Sequence, residues 1–171
     1  DYSYYDGKLQ LPDRIKKLTV GKFCSFGGNL NFVTYGHPTD NISTFPFYAL
    51  FKEPTEDKHV KVYDEIYIGN DVYMGDSVTI TAPCYIADGT VIAAKSLICG
   101  GTNTEPYSIY GGNPAKFIKY RISNADDRNF LLKLKWWNFN IKEIKEISNL
   151  LQSNDMNALR ERYDIFHGCS N

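Results

Sequence analysis

Three histidines stand in this chain of 171 residues: His37, His59 and His167. A neutral imidazole within about 3 Å of a hydroxyl can take its proton, and an unperturbed pKa near 6.5 suits that work at neutral pH. His37 has the most informative neighbours, in the run GHPTDNISTFPF at residues 36–47. A lone loop histidine is by default bonded to backbone. Asp40, Ser43 and Thr44, which follow it, are ordinary turn and capping residues. One of them could instead orient the second ring nitrogen or touch a substrate. Phe45, Phe47, Tyr48 and Phe51 either line a pocket or anchor the segment. His59, in a charged stretch, and His167, near the end of the chain, read as solvated surface residues.

Lys116, Lys119 and Arg121 form a second group. Clustered cations are partners for phosphate, although solvated surface charge is the default. The four cysteines, Cys24, Cys84, Cys99 and Cys169, make no CxxC pair and no zinc-finger spacing with histidine. They read as free thiols of a reducing, cytoplasmic compartment, with no metal expected. Lys and Arg number 19 against 20 Asp and Glu, for a net charge of -1. That lacks the basic excess of a nucleic-acid binder. No apolar run approaches the roughly 20 residues of a membrane span. With 43% hydrophobic and 23% charged residues, the chain has the composition of a folded domain rather than a disordered one.

A six-residue period dominates the middle of the chain. Read from Val62, the hexads are VYDEIY, IGNDVY, MGDSVT, ITAPCY, IADGTV, IAAKSL and ICGGTN. Their first residues, Val62, Ile68, Met74, Ile80, Ile86, Ile92 and Ile98, are all aliphatic or Met. The second is mostly small, and the fifth is small or branched. Val20, Phe26 and Phe32 open an earlier stretch in the same phase. Six fits neither a helix nor one long strand. It fits short strands joined by sharp corners, with three corners closing a coil of about 18 residues and coils stacking at about 4.8 Å. The first position is expected inside, and the small second residue where the backbone bends tightly.

Residues of about 38–61 form a long excursion from the coils, and loops of that length are usually functional. After Asn103 the repeat fades. From Ser123 the pattern turns helical, with Ser or Asn as N-cap and Phe130, Leu131, Leu134 and Trp137 at helical spacing. Asn140 can cap a second helix striped by Ile141, Ile144, Ile147, Leu150 and Leu151. A third short helix is expected near 156–163. These stripes are expected to cover an open end of the coil or a neighbouring subunit. The expected architecture is mainly β, with residues 1–122 as the coil domain and 123–171 as a helical extension.

Four stretches carry a closer resemblance: GHPTDNISTFPF at 36–47, IGNDVYMGDSVTI at 68–80, GGNPAKFIKYR at 111–121 and LKLKWWNFNIKEI at 132–144. In that order they resemble the xenobiotic acetyltransferases, a family that includes type B chloramphenicol and streptogramin acetyltransferases and related sugar O-acetyltransferases. The opening DYSYYDG is also similar to a segment near their N-terminus. The resemblance implies a left-handed parallel β-helix of hexapeptide repeats. It implies acetyl transfer from acetyl-CoA to a hydroxyl, in homotrimers with active sites between subunits.

Carried onto this chain, the resemblance makes His37 the catalytic base. Tyr73 stands where many relatives have Trp, and Ala93 with Ala94 matches a small pair in the groove for the pantetheine arm. Asn113, Pro114 and Lys116 belong to the NPAK segment, with Lys119 and Arg121 beside it for CoA phosphates. Tyr5, Asp40, Ser43, Thr44 and Phe45 are the candidate acceptor-binding residues. The acceptor is a small molecule or a saccharide; a sugar of a surface polysaccharide or its precursor is the first expectation and an antibiotic the alternative. A γ-type carbonic anhydrase shares the solenoid but needs three histidine ligands on zinc, and only His37 lies at the coils. A non-catalytic CoA-binding scaffold is the remaining alternative.

Overall fold

The computed structural model describes residues 2–7, 9–10, 17–51, 61–62 and 65–167, with 9–10, 48–49, 61–62 and 165–167 described by backbone alone. His59 and Cys169 lie outside the described residues, as do the side chains of Val62, Tyr48 and His167. The chain divides into two compact units, Asp1–Arg121 and Ile122–Asn171.

The first unit is a three-sided stack of short parallel strands. Partners lie one coil apart: Tyr73 pairs with Val91, Thr79 with Leu97 and Ile66 with Cys84, each offset by 18 residues. Across the excursion the offset becomes 48, as in Ser25 with Tyr73 and Asn31 with Thr79, yet the register is kept. The insertion therefore leaves the stack intact. The strands fall into a six-stranded, a four-stranded and a three-stranded sheet, one for each side. The chain visits them in turn, as in Glu65–Ile68, Tyr73–Met74 and Thr79–Thr81.

The first hexad position fills the interior. Ile68, Met74, Ile80, Ile86, Ile92 and Ile98 are all wholly buried. Val20 has the same register, opposite Ile68, but is 38% exposed because it lies in the outermost described strand of its sheet. Buried Thr90 and Ser96, at the fifth position, turn their hydroxyls onto corner backbone or a neighbouring hydroxyl, so little polar capacity is wasted.

The smallness of the second position has a different cause from the one expected. Gly75 does not have the positive φ of a glycine-only bend; a Cβ there would lie 2.6 Å from the backbone N of Ala94 in the next coil. Close stacking between coils demands it. The left-handed residue is the fourth of the hexad, at Asp71, Ser77, Gly89 and Lys95. At Gly89 a side chain would also meet the Tyr107 ring at 2.5 Å.

The parallel pairing also runs past the point where the repeat fades. Ser108–Gly112 adds one more strand, with Ile109 on Val91 and Tyr110 on Ile92. Ala115–Tyr120 then folds back antiparallel, around a turn at Asn113-Pro114.

In the second unit, Ala125–Leu134 (α2), Ile141–Leu151 (α3) and Met156–His167 (α4) are helices; Phe47–Phe51 in the excursion is α1. Asn124 caps α2 by accepting from the Asp126 and Asp127 amides. Asn140 and Glu143 form a reciprocal capping box on α3. Arg160 of α4 pairs with Asp127 at 2.8 Å and lies over the Phe130 ring. No helix among the described residues is long and apolar enough to cross a membrane.

Candidate active site

The excursion leaves the coil through Tyr35–Gly36 and returns through Lys61–Val62, and these two segments pair antiparallel. His37 is the first residue beyond that clasp. Its Nδ1 lies 2.8 Å from the carbonyl oxygen of Thr44. A carbonyl can only accept, so Nδ1 carries the proton and the neutral ring keeps its lone pair on Nε2. The partner that orients the ring is thus backbone, not a side chain of Asp40, Ser43 or Thr44. Asp40 accepts instead from the Thr39 hydroxyl at 3.4 Å, and the Ser43 hydroxyl accepts from the Phe45 amide at 3.1 Å. Both are local turn bonds that hold the segment in shape.

An open cleft of about 610 Å³ lies at His37, lined also by Tyr35, Thr39, Thr44, Thr81 and Gly100. It opens at the corner between the four-stranded and three-stranded sheets. Phe45, Phe47 and Phe51 are exposed beyond it and pack on one another, with ring centroids 4.9 and 6.1 Å apart.

A second group gathers on the outer face of the six-stranded sheet. Tyr73 is opposite Val91, Val91 opposite Ile109, and Ile109 opposite Lys119, so Tyr73 and Lys119 share one column. Three residues apart in a regular strand, Lys116 and Lys119 would face opposite ways. A bulge between the partners of Ile109 and Tyr110 inserts one residue and turns both lysines to the same face. Ala93 and Ala94 form the corner beside this face. Exposed Asn113 and Pro114 form the tip of its hairpin.

Arg121 is placed differently from its two neighbours. Its guanidinium pairs with Asp71 at 2.6 Å and lies 5.2 Å from the centre of the Tyr107 ring. Burial holds the Asp71 carboxyl above its ordinary range, and the adjacent Arg121 offsets only part of that rise. Much of the Arg121 charge is therefore matched inside the molecule rather than offered to phosphate. Tyr5 sits on the outermost strand of the six-stranded sheet, opposite Phe26, and does not line the His37 cleft. Sequence reasoning missed the lysine-aligning bulge and the Asp71–Arg121–Tyr107 contact. The GGNP turn signal could have indicated the hairpin; nothing local indicates a contact across 50 residues. Among the described residues no group of His, Cys, Asp and Glu is arranged to hold a metal.

A stack of hexad coils interrupted by an inserted histidine loop is the architecture of a hexapeptide-repeat protein; the class of activity comes from its relatives. The chain is 34% identical to a chloramphenicol acetyltransferase of Escherichia coli, over 95% of this chain and 85% of that protein. It is 41% identical to a probable macrolide acetyltransferase of Lysinibacillus sphaericus, over 80% of this chain and 78% of that one. A virginiamycin A acetyltransferase of Staphylococcus aureus is 37% identical over 95% and 80%. No family model matches the chain. Among solved structures, a mutant of AntD, an N-acyltransferase from Bacillus cereus in complex with dTDP and coenzyme A, has the same fold. The TM-score is 0.50 at 20% identity, over 68% of this chain and 60% of that one. The chain belongs to the xenobiotic acetyltransferase family and is an acetyltransferase.

Proposed function

We propose that this chain moves an acetyl group from acetyl-CoA to a hydroxyl of an antibiotic, with His37 as general base. The observation that carries the reading is the Nδ1 bond to the Thr44 carbonyl, which leaves Nε2 free to accept a proton in the cleft. The acceptor hydroxyl gives its proton to Nε2 as its oxygen bonds to the thioester carbonyl carbon. The carbon–sulfur bond then breaks, and the proton on Nε2 passes to the departing thiolate. The ring ends as it began, and no covalent enzyme intermediate is needed.

The sequence reading ranked a surface-polysaccharide sugar ahead of an antibiotic. The relatives reverse that order, since those compared are named for chloramphenicol, a macrolide and virginiamycin. The coenzyme A in the AntD complex supports acetyl-CoA as donor.

The placement of the candidate site residues and the exposed apolar surface of the excursion support a homotrimer with its sites between subunits. The outer face bearing Tyr73, Lys116 and Lys119 belongs to one side of the prism, and the His37 cleft opens at a corner between the other two. Ala93 and Ala94 mark a different corner again. One copy therefore offers the donor-binding half and the base on separate edges, and a neighbour completes each. The exposed Ile42, Phe45, Phe47 and Phe51 suit contact with that neighbour. The coil is read as left-handed, as in hexapeptide-repeat proteins. Residues 1–122 form the catalytic domain and 123–171 an extension. Free Cys24 and Cys84 and the use of acetyl-CoA support a cytoplasmic setting.

The test is thiol release from acetyl-CoA by wild type and His37→Ala, offered chloramphenicol, a macrolide, a streptogramin and a panel of sugars. Turnover with an antibiotic that is lost in the mutant is expected. Turnover with sugars alone would restore the other acceptor, and CoA binding without turnover on any acceptor would favour a non-catalytic scaffold.

A further inference from the structure

A second cleft, of about 460 Å³, lies on the other flank of the corner that bounds the His37 cleft. Gly100 lines the first cleft and Gly101 the second; Thr81 lines the first, Pro83 and Cys84 the second. The divide is low. A Cβ on Gly101 would meet nothing within 4 Å, and its amide is spent on the Pro83 carbonyl.

The wall of the second cleft is a ladder. Tyr67 and Tyr85 are register partners on adjacent coils, and Tyr85 bridges in turn to Asn103. The two rings are 4.7 Å apart and 3° from parallel, so they stack along the coil direction at the spacing of the coils themselves. The next rung holds Asn103, a short side chain. Among the described residues the ring face of Tyr85 on that side has no aromatic neighbour, and Tyr85 remains 44% exposed. Beyond the end of the short Asn103 side chain the cleft is open to one face of Tyr85. It has an aromatic wall and an amide able to donate and accept at the edge of whatever enters.

We infer that the slot between Tyr85 and Asn103 is a binding subsite for a planar ring with hydrogen-bonding groups on its edge, carried by one of the reaction's two substrates. The ring completes the ladder as its third rung. Its chemistry fits an aryl group of the acceptor or the adenine of acetyl-CoA. Either molecule reaches the transfer site across the glycine divide. The assignment to a substrate rests on the acetyl-transfer reading; the slot itself does not.

The test fills the rung or removes its wall. Asn103→Tyr extends the ladder into the slot, and Tyr85→Ala takes the platform away. Binding of chloramphenicol, CoA and pantetheine is measured by calorimetry on each variant and wild type, with thermal unfolding as the control for folding. Loss of one stacked ring weakens binding by up to about tenfold. A fall confined to chloramphenicol assigns the ring to the acceptor. A fall for CoA but not for pantetheine assigns it to adenine. Unchanged binding of all three by folded variants would overturn the proposal and leave the tyrosines as a structural ladder. Turnover assays on the same proteins separate the two claims. Variant-sensitive binding without acetyl transfer sinks the transferase reading and keeps the slot; normal transfer with insensitive binding does the reverse.

Discussion

The coil interior and the excursion treat apolar side chains in opposite ways. Ile68, Met74, Ile80, Ile86, Ile92 and Ile98 are each buried to the last atom, one per strand. Ile42, Phe45, Leu50 and Phe51 are more than half exposed and Phe47 nearly so, and the three phenylalanines find partners in one another. Burying a large aliphatic side chain is worth about 1.5–3 kcal/mol, so the coil collects its stability along its whole length. Among the described residues 38–51, the excursion collects little from its own chain. It is held by the clasp at its base and by local turn bonds, and it spends its apolar surface outward. One region buries its apolar residues and the other exposes them, as the proposed contact with a neighbouring subunit requires.

The strongest test of that division is chemical. His37→Ala is expected to lower kcat by roughly two to four decades while thermal unfolding stays at the wild-type midpoint, because the side chain is exposed and outside the core. Near-normal turnover would remove the histidine from the mechanism. Next in size is the double change Phe47→Asp with Phe51→Asp. It should convert the proposed trimer to monomers in sedimentation and abolish turnover while the coil still melts as before; a surviving trimer would move the contact elsewhere.

Truncation sharpens the contrast directly. Ile86→Ala should cost about 2–5 kcal/mol in denaturant unfolding. Ile42→Ala, on the excursion, should fall within about 0.5 kcal/mol of wild type under conditions that keep the chain monomeric. Equal costs would mean that the excursion is packed as the core is.

Alkaline pH probes the interior again. Burial pushes the Cys84 thiol up from 9.0 to about 12. The folded chain therefore keeps this proton where the unfolded chain releases it. The contribution is fully present below pH 9 and is lost as pH climbs from about 9 toward 12. In that window stability should fall more gently with pH in Cys84→Ala than in wild type. Parallel slopes would trace the loss to other groups. The smallest effect is expected in the helical unit: Asn140→Ala removes the α3 capping box, costs about 1 kcal/mol and lowers the melting point by about 2–4 °C.

Much of this is legible in the sequence itself. The hexad phase marked Ile68 to Ile98 as interior, and Asn124 and Asn140 announced the helix starts. Each of these signals is local: a period of six, or a side chain reaching an amide two or three residues on. The cause of the small second position was misjudged because Gly75 is crowded by Ala94, a full coil away. The run from Ser108 to Tyr110 hid its strand because the hexad consensus lapses there while pairing to Val91 and Ile92 persists.

The candidate site divides in the same way. The family resemblance of the sequence named His37, the NPAK segment and the small pair. Stacking offsets of 18 and 48 residues decided what stands beside what. They bring Tyr73 into line with Lys119, tie Arg121 to Asp71 and stack Tyr85 on Tyr67. Folding of the loop chose a backbone carbonyl to hold the His37 ring and left Nε2 to the cleft. A sequence carries its period and its caps within a few neighbours, so those were determined by the sequence alone. Contacts made by closing a coil depend on where the chain returns, and only the tertiary structure decides that.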